Sequence, residues 1–197
     1  MSQIKLKHSG GNSVIIASPS SNPASDRTIT LPSDADGTLA RTLDVAFKSY
    51  AIIADQKSST TVGGVFSDGD WRTRDLNTEL ADPDGIVSIS SNQFTLQAGS
   101  YLIEAQAPAY RINRHIIKLY QTSGTPADIA FGTSEFASLS YAEQNSSFLS
   151  TRVTISSATT YEIRHRCQST YSGSDGFGVD SSLAIETYTM VKIFKEA

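Results

Sequence analysis

From Ser49 onward the chain alternates apolar and polar residues in steps of two, with turn residues about every ten positions. A period of two sends successive side chains to opposite faces of a strand, so many short strands at this spacing predict an all-β antiparallel sandwich or barrel. Strands are predicted at Ser49–Asp55, Gly85–Ile89, Gln93–Leu96, Ser100–Ala107, Ile112–Gln121, Ile129–Phe136, Ser147–Ile155, Tyr161–Gln168 and Leu183–Phe194, with a looser extended segment at Trp71–Leu80. That is enough for two packed sheets. Val87 and Ile89 are out of phase with Phe94 and Leu96, which places a bulge or turn at Ser90-Ser91-Asn92. Helical periodicity is almost absent, and the best helix candidate is a short connector over Leu39–Lys48.

Two strands are apolar on both faces. In the last, Leu183, Ile185, Val191 and Ile193 oppose Tyr188, Met190 and Phe194. In Ile112–Gln121, Ile112, Ile116 and Tyr120 oppose His115, Ile117 and Leu119. A two-sheet sandwich covers only its inner faces, so apolar outer faces predict a subunit interface through Tyr120, Tyr188, Met190 and Phe194. The alternative is that the N-terminal segment or a long loop covers them.

The first forty residues are different. Val14-Ile15-Ile16 and Ile29-Thr30-Leu31 sit among Ser, Asn, Asp, Gly and Pro. This is too little apolar surface to fold alone, and the segment lacks the charged, apolar and cleavage regions of a secretory signal. It reads as an attachment arm whose short strands are completed by a partner chain, with Ile4, Leu6, Val14, Ile16, Ile29 and Leu31 as anchoring residues. The expected organisation is an arm at 1–40, a connector at 41–48 and a head at 49–197.

Charge and chemistry exclude several classes. The formal net charge is −4, and Arg164-His165-Arg166 alternates across a strand without forming a patch, so no nucleic-acid partner is expected. Apolar runs are far below the roughly 18–20 residues that span a bilayer, so no membrane insertion is expected. The single cysteine, Cys167, excludes an intrachain disulfide and reads as a small buried hydrophobe. His8, His115 and His165 fall in no catalytic motif, and the strand histidines read as core or interface residues able to approach symmetry mates. The pairs Asp34/Asp36, Asp68/Asp70, Asp82/Asp84 and Asp175/Asp180 fit turns better than a calcium loop. Asn145-Ser146-Ser147 matches a glycosylation acceptor that has meaning only on a secretory route. Trp71 fits a plug at the sandwich edge better than a binding aromatic. No catalytic residue, metal or cofactor is expected.

The segment Ile4-Lys5-Leu6-Lys7-His8-Ser9-Gly10-Gly11-Asn12-Ser13-Val14, followed by Ser21-Asn22-Pro23-Ala24-Ser25-Asp26, Thr28-Ile29-Thr30-Leu31-Pro32 and Asp36-Gly37-Thr38-Leu39, resembles the N-terminal module of tail-fibre-like proteins of tailed bacteriophages, cyanophages especially. The remainder, carried by Phe94-Thr95-Leu96-Gln97-Ala98-Gly99-Ser100-Tyr101-Leu102-Ile103-Glu104-Ala105 and Thr160-Tyr161-Glu162-Ile163-Arg164, resembles the jelly-roll heads of tumour necrosis factor and complement globular-head proteins. The resemblance implies a non-enzymatic virion protein assembled in the bacterial host cytoplasm. It also implies a homotrimer, docked to other virion proteins in tail or capsid, with a host surface glycan or protein as a further partner. A short tail fibre would contact that partner through Val65–Trp71 and Ser169–Asp180, with Asp68, Trp71, Tyr171, Asp175 and Phe177 as candidate residues. A capsid decoration protein is the alternative, since the chain lacks a fibre's repetitive shaft. A glycan-cleaving enzyme is a distant third.

Overall fold

The computed structural model describes residues 3–7, 9–11, 13–17 and 47–196. The chain divides into two units, Met1–Leu39 and Ala40–Ala197. In the first, strand β1 (Gln3–Lys7) pairs antiparallel with β2 (Ser13–Ala17), matching Ile4 with Ile16 and Leu6 with Val14. This corrects one expectation. The Val14–Ile16 run is completed by the chain's own first strand, because a turn at Ser9–Gly11, with Gly11 at φ +96°, reverses the chain. Ile29 and Leu31 lie outside the described residues, as does most of the predicted Leu39–Lys48 helix. Its last two residues, Phe47 and Lys48, are strand.

The second unit holds β3 (Phe47–Lys57), β4 (Arg72–Thr73), β5 (Thr78–Ala81), β6 (Val87–Ser90), β7 (Gln93–Leu96), β8 (Gly99–Tyr110), β9 (Asn113–Gln121), β10 (Ala127–Phe131), β11 (Glu135–Ala137), β12 (Gln144–Ile155), β13 (Thr159–Cys167) and β14 (Glu186–Glu196). One antiparallel sheet runs β12-β8-β14-β3-β5. The other runs β10-β9-β13-β7-β6, with β11 also on β9 and β4 also on β13. β14 lies between β3 and β8, and β13 between β7 and β9, so strands distant in sequence become neighbours.

The core forms where the inward phases of the two sheets meet. Ala51, Ile53, Tyr101, Ile103, Val191 and Ile193 from one pack against Phe94, Leu96, Ile117, Leu119, Tyr161 and Ile163 from the other. A second cluster of Phe66, Ala109, Ile112, Ala137 and Cys167 is formed by strand ends and loops. The phase change near Ser90 is a hairpin. Ser91 and Asn92 have φ of +52° and +64°, a type I′ turn, which sets Val87 opposite Leu96 and Ile89 opposite Phe94.

Two predicted strands differ from the structure. Ile129–Phe136 splits into β10 and β11, because the chain between them leaves β9 to touch β12. Gly132 donates to the Ile117 carbonyl and Thr133 to that of Phe148. A Cβ on Gly132 would lie 2.6 Å from the Phe148 carbonyl oxygen, so only glycine fits. The last strand begins at Glu186, leaving Leu183 and Ile185 exposed ahead of it. A register shift between Thr187 and Met190 then breaks the alternation, so Tyr188 and Thr189 are both buried.

Candidate functional site

The outer face of the five-stranded sheet carries several large apolar side chains that the fold leaves partly open. Phe194 on β14 has Leu102 on one side and Tyr50 on the other, and Phe47 packs on it at 5.2 Å between ring centroids. One step along, Lys192 lies between Glu104 and Ile52. At the next, Met190 is next to Gln106, which has Phe148 beyond it. Phe47 and Tyr50 on β3 and Phe148 on β12 are between 45% and 52% exposed, against 0–7% for Ala51, Ile53, Leu149 and Val153 on the inward phase of the same strands. A depression of about 360 Å³ opens between Phe148, Met190, Glu104 and Lys192. At its edge, Arg152 grips Glu196 through two 2.7 Å hydrogen bonds.

Met190 and Phe194 therefore share this surface, and the other two expected interface residues leave it. Tyr188 is 4% exposed and its hydroxyl donates to the Thr61 carbonyl at 2.7 Å, because the register shift turns it inward. Tyr120 lies on the other sheet, under the Arg164 guanidinium at 3.6 Å from its ring centroid. That outer face is charged: Lys118 pairs with Asp128 and Arg164 with Glu162. The Trp71 indole covers the Lys118 ammonium at 4.1 Å, with Phe131 beside it.

The two loops expected to meet a receptor are bound to each other. Asp68 accepts the Thr170 hydroxyl and donates its backbone N–H to the same oxygen. Gly63 donates to Gly178, and Phe177 donates to Gly64. Asp68 is exposed, while Asp175 is half-buried. Tyr171 is half-buried beneath Arg111 and edge-on to Tyr110. Phe177 belongs to the fold. Its ring stacks on Phe66 at 4.3 Å between centroids, and the Arg74 guanidinium lies over the same ring at 4.3 Å from its centroid. Sequence reasoning missed Arg74, which is 1% exposed. It donates to Thr189 Oγ1 on β14, the Pro108 carbonyl on β8 and the Phe177 carbonyl, joining two strands of the five-stranded sheet to the loop. Burial pushes its guanidinium down to about 10, against the through-space pull of Asp55 and Asp75, so it stays charged at neutral pH.

The two strand histidines meet each other within the chain. His165 Nε2 lies 2.9 Å from His115 Nδ1, and His115 Nε2 lies 2.6 Å from Asn145 Oδ1. Asn145 Nδ2 donates to the Phe136 carbonyl at 2.7 Å, which fixes the amide orientation. Neutral His115 must then donate from Nε2 and accept at Nδ1 from His165 Nε2–H. That leaves the buried Nδ1 of His165 as a lone pair without a partner. Burial first, and then Arg74, hold His165 well below its ordinary pKa. Burial lowers His115 as well, against Glu135 and the Asn145 bond. Cys167 lies directly across from His115, but burial pushes its thiol up to about 11, so the pair presents no thiolate.

This relay sets an acid limit. The unfolded histidines protonate as pH falls through 6.5 while the folded ones stay neutral, so stability is lost below that pH. A histidine that stays neutral in the fold while its unfolded form is charged contributes a slope of at most about 1.4 kcal/mol per pH unit. The urea midpoint is expected to fall between about pH 7 and pH 5, and His165→Phe should remove the larger part of that fall, because His165 is held further below its ordinary pKa than His115. An identical fall in the variant would refute the assignment.

These two sheets define an all-β antiparallel sandwich resembling the tumour necrosis factor and complement jelly roll. Among solved structures, murine APRIL at pH 5.0 superposes with a TM-score of 0.52 at 8% identity, over 75% of this chain and 98% of that one. The Eiger TNF of S. frugiperda superposes at 0.51 with 13% identity, over 78% and 94%. The globular domain of zebrafish complement 1qA gives 0.49 and 15%, over 75% and 96%. No protein-family model matches the chain, and neither does any curated protein.

Proposed function

We propose that this protein is a non-enzymatic structural component of a tailed-bacteriophage virion. In this reading its heads associate as a homotrimer and its N-terminal segments dock to other virion proteins. The observation that carries the oligomer is the open apolar face around Phe47, Tyr50, Phe148, Met190 and Phe194. Exposed surfaces of this kind mark association sites, and completing the burial of each half-exposed large side chain contributes about 1 kcal/mol. The number three is supported by the resemblance to tumour necrosis factor-type heads. The order of the first forty residues supports the virion assignment.

Light scattering on the purified chain is expected to give a mass near three times 21.2 kDa. In the particle, a few copies at the tail tip are expected of a short fibre. Hundreds of copies on the capsid lattice would support the decoration role instead. Absence of the chain from purified virions would remove both.

A further inference from the structure

We propose that the groove crossing β11, β9 and β13 binds an acidic saccharide, whose carboxylate is received by Arg114 and Arg166. The idea rests on the reading above in one respect: trimerisation through the five-stranded sheet leaves this opposite sheet face free. The groove has a volume of about 770 Å³. Small-ligand sites commonly measure roughly 300–1,000 Å³.

The site is made by strand pairing. Arg114 lies between Phe136 on β11 and Gln168 just beyond β13, and Arg166 pairs with Ile116 one row along. Alternation within β13 places Arg164 and Arg166 on the same outer face, so the arginine patch needs β9 to complete it. The four basic residues here are not equivalent. Lys118 is neutralised by Asp128, and Arg164 by Glu162. Arg114 and Arg166 are exposed and have no carboxylate partner among the described residues. Arg114 Nη1 donates to Gln168 Oε1 at 3.0 Å, which steadies the guanidinium and leaves its remaining N–H groups available. Two guanidinium forks with free donors match a planar carboxylate.

The walls select the rest of the ligand. Phe136 is 50% exposed and, with Ile116, offers an apolar surface for the C–H face of a sugar ring. Ser134 and Gln168 provide polar groups for hydroxyls. Glu135 also lines the groove, on the His115 side, and opposes an anion there. Two uncompensated arginines against one glutamate leave a local positive balance in a chain whose net charge is −4.

The test is calorimetric titration of the full chain with trigalacturonate and 3′-sialyllactose, using maltotriose as the neutral control and maltotriose sulfate as the non-planar anion. At least one carboxylated sugar is expected to bind, more weakly as salt rises, with little binding of maltotriose or its sulfate. Arg166→Gln and Arg114→Gln should each weaken binding about tenfold or more, and Glu135→Gln should tighten it. The arginines are exposed, so the thermal midpoints of their variants should match the wild type. Binding of neither carboxylated sugar, equal binding of the neutral or sulfated control, or unchanged affinity in both arginine variants would overturn the proposal. A trimer that binds no acidic sugar would sink the groove alone. A monomer that binds through these arginines would sink the trimer alone.

Discussion

Replacing Arg74 by methionine is expected to destabilise the head by about 3–5 kcal/mol, lowering the thermal midpoint by roughly 10 °C. Methionine fills much of the volume but donates nothing. The Pro108 and Phe177 carbonyls and the Thr189 hydroxyl would each lose a buried donor. An orphaned buried polar group costs about 1–3 kcal/mol. The stacked pair of Phe177 and the guanidinium would be lost as well. Arg74→Lys should recover only part of the loss, because an ammonium keeps the charge but cannot reach three acceptors with one planar fork. Because Phe177 anchors its loop to Gly64, hydrogen exchange in the Ser169–Asp180 segment should rise before the sheets open. A change in chemical-denaturation midpoint equivalent to less than about 1 kcal/mol would show that the polar hub is dispensable.

Phe194→Asp and Met190→Asp are each expected to convert the proposed trimer to a folded monomer of 21.2 kDa. Both residues lie on the outer face, half-buried, so an aspartate there stays hydrated in the monomer and loses hydration only on association. Two controls separate this from unfolding. Tyr120→Asp lies on the opposite sheet and should leave the mass unchanged. Tyr188→Asp buries a charge next to the core and should unfold the head rather than merely dissociate it. Sedimentation with circular dichroism reads both properties. A trimer retained by both Phe194→Asp and Met190→Asp would remove this face as the interface.

Much of the sandwich was legible because one side of each strand faces a dry core. Gln93–Leu96 carries its own pattern, and the long strands β8 and β12 were recognised short by a few residues at their ends. The misreadings share one cause. In β14 a local register shift reversed the phase, so Tyr188 looked equivalent to Met190 and Phe194 but points elsewhere. In β10–β11 a close approach to β12 at Gly132 divided one apolar run into two strands. Arg74 carried no local sign of its role, since a lone arginine between polar neighbours looks like a solvated one. Its partners come from β8, β14 and a distant loop.

The candidate sites divide along the same line. The amino-acid sequence by itself determined the two-residue alternation, and with it the all-β class, the turns, most of the core and the apolar outer phase at Met190 and Phe194. These follow from periodicity, which is local. Only the tertiary structure decided what lies across from each strand. It joined His115 to His165, carried Arg114 to the side of Arg166, and covered Lys118 with Trp71. Such pairings join residues about fifty positions apart, and alternation sets the face of a side chain without naming its cross-strand neighbour.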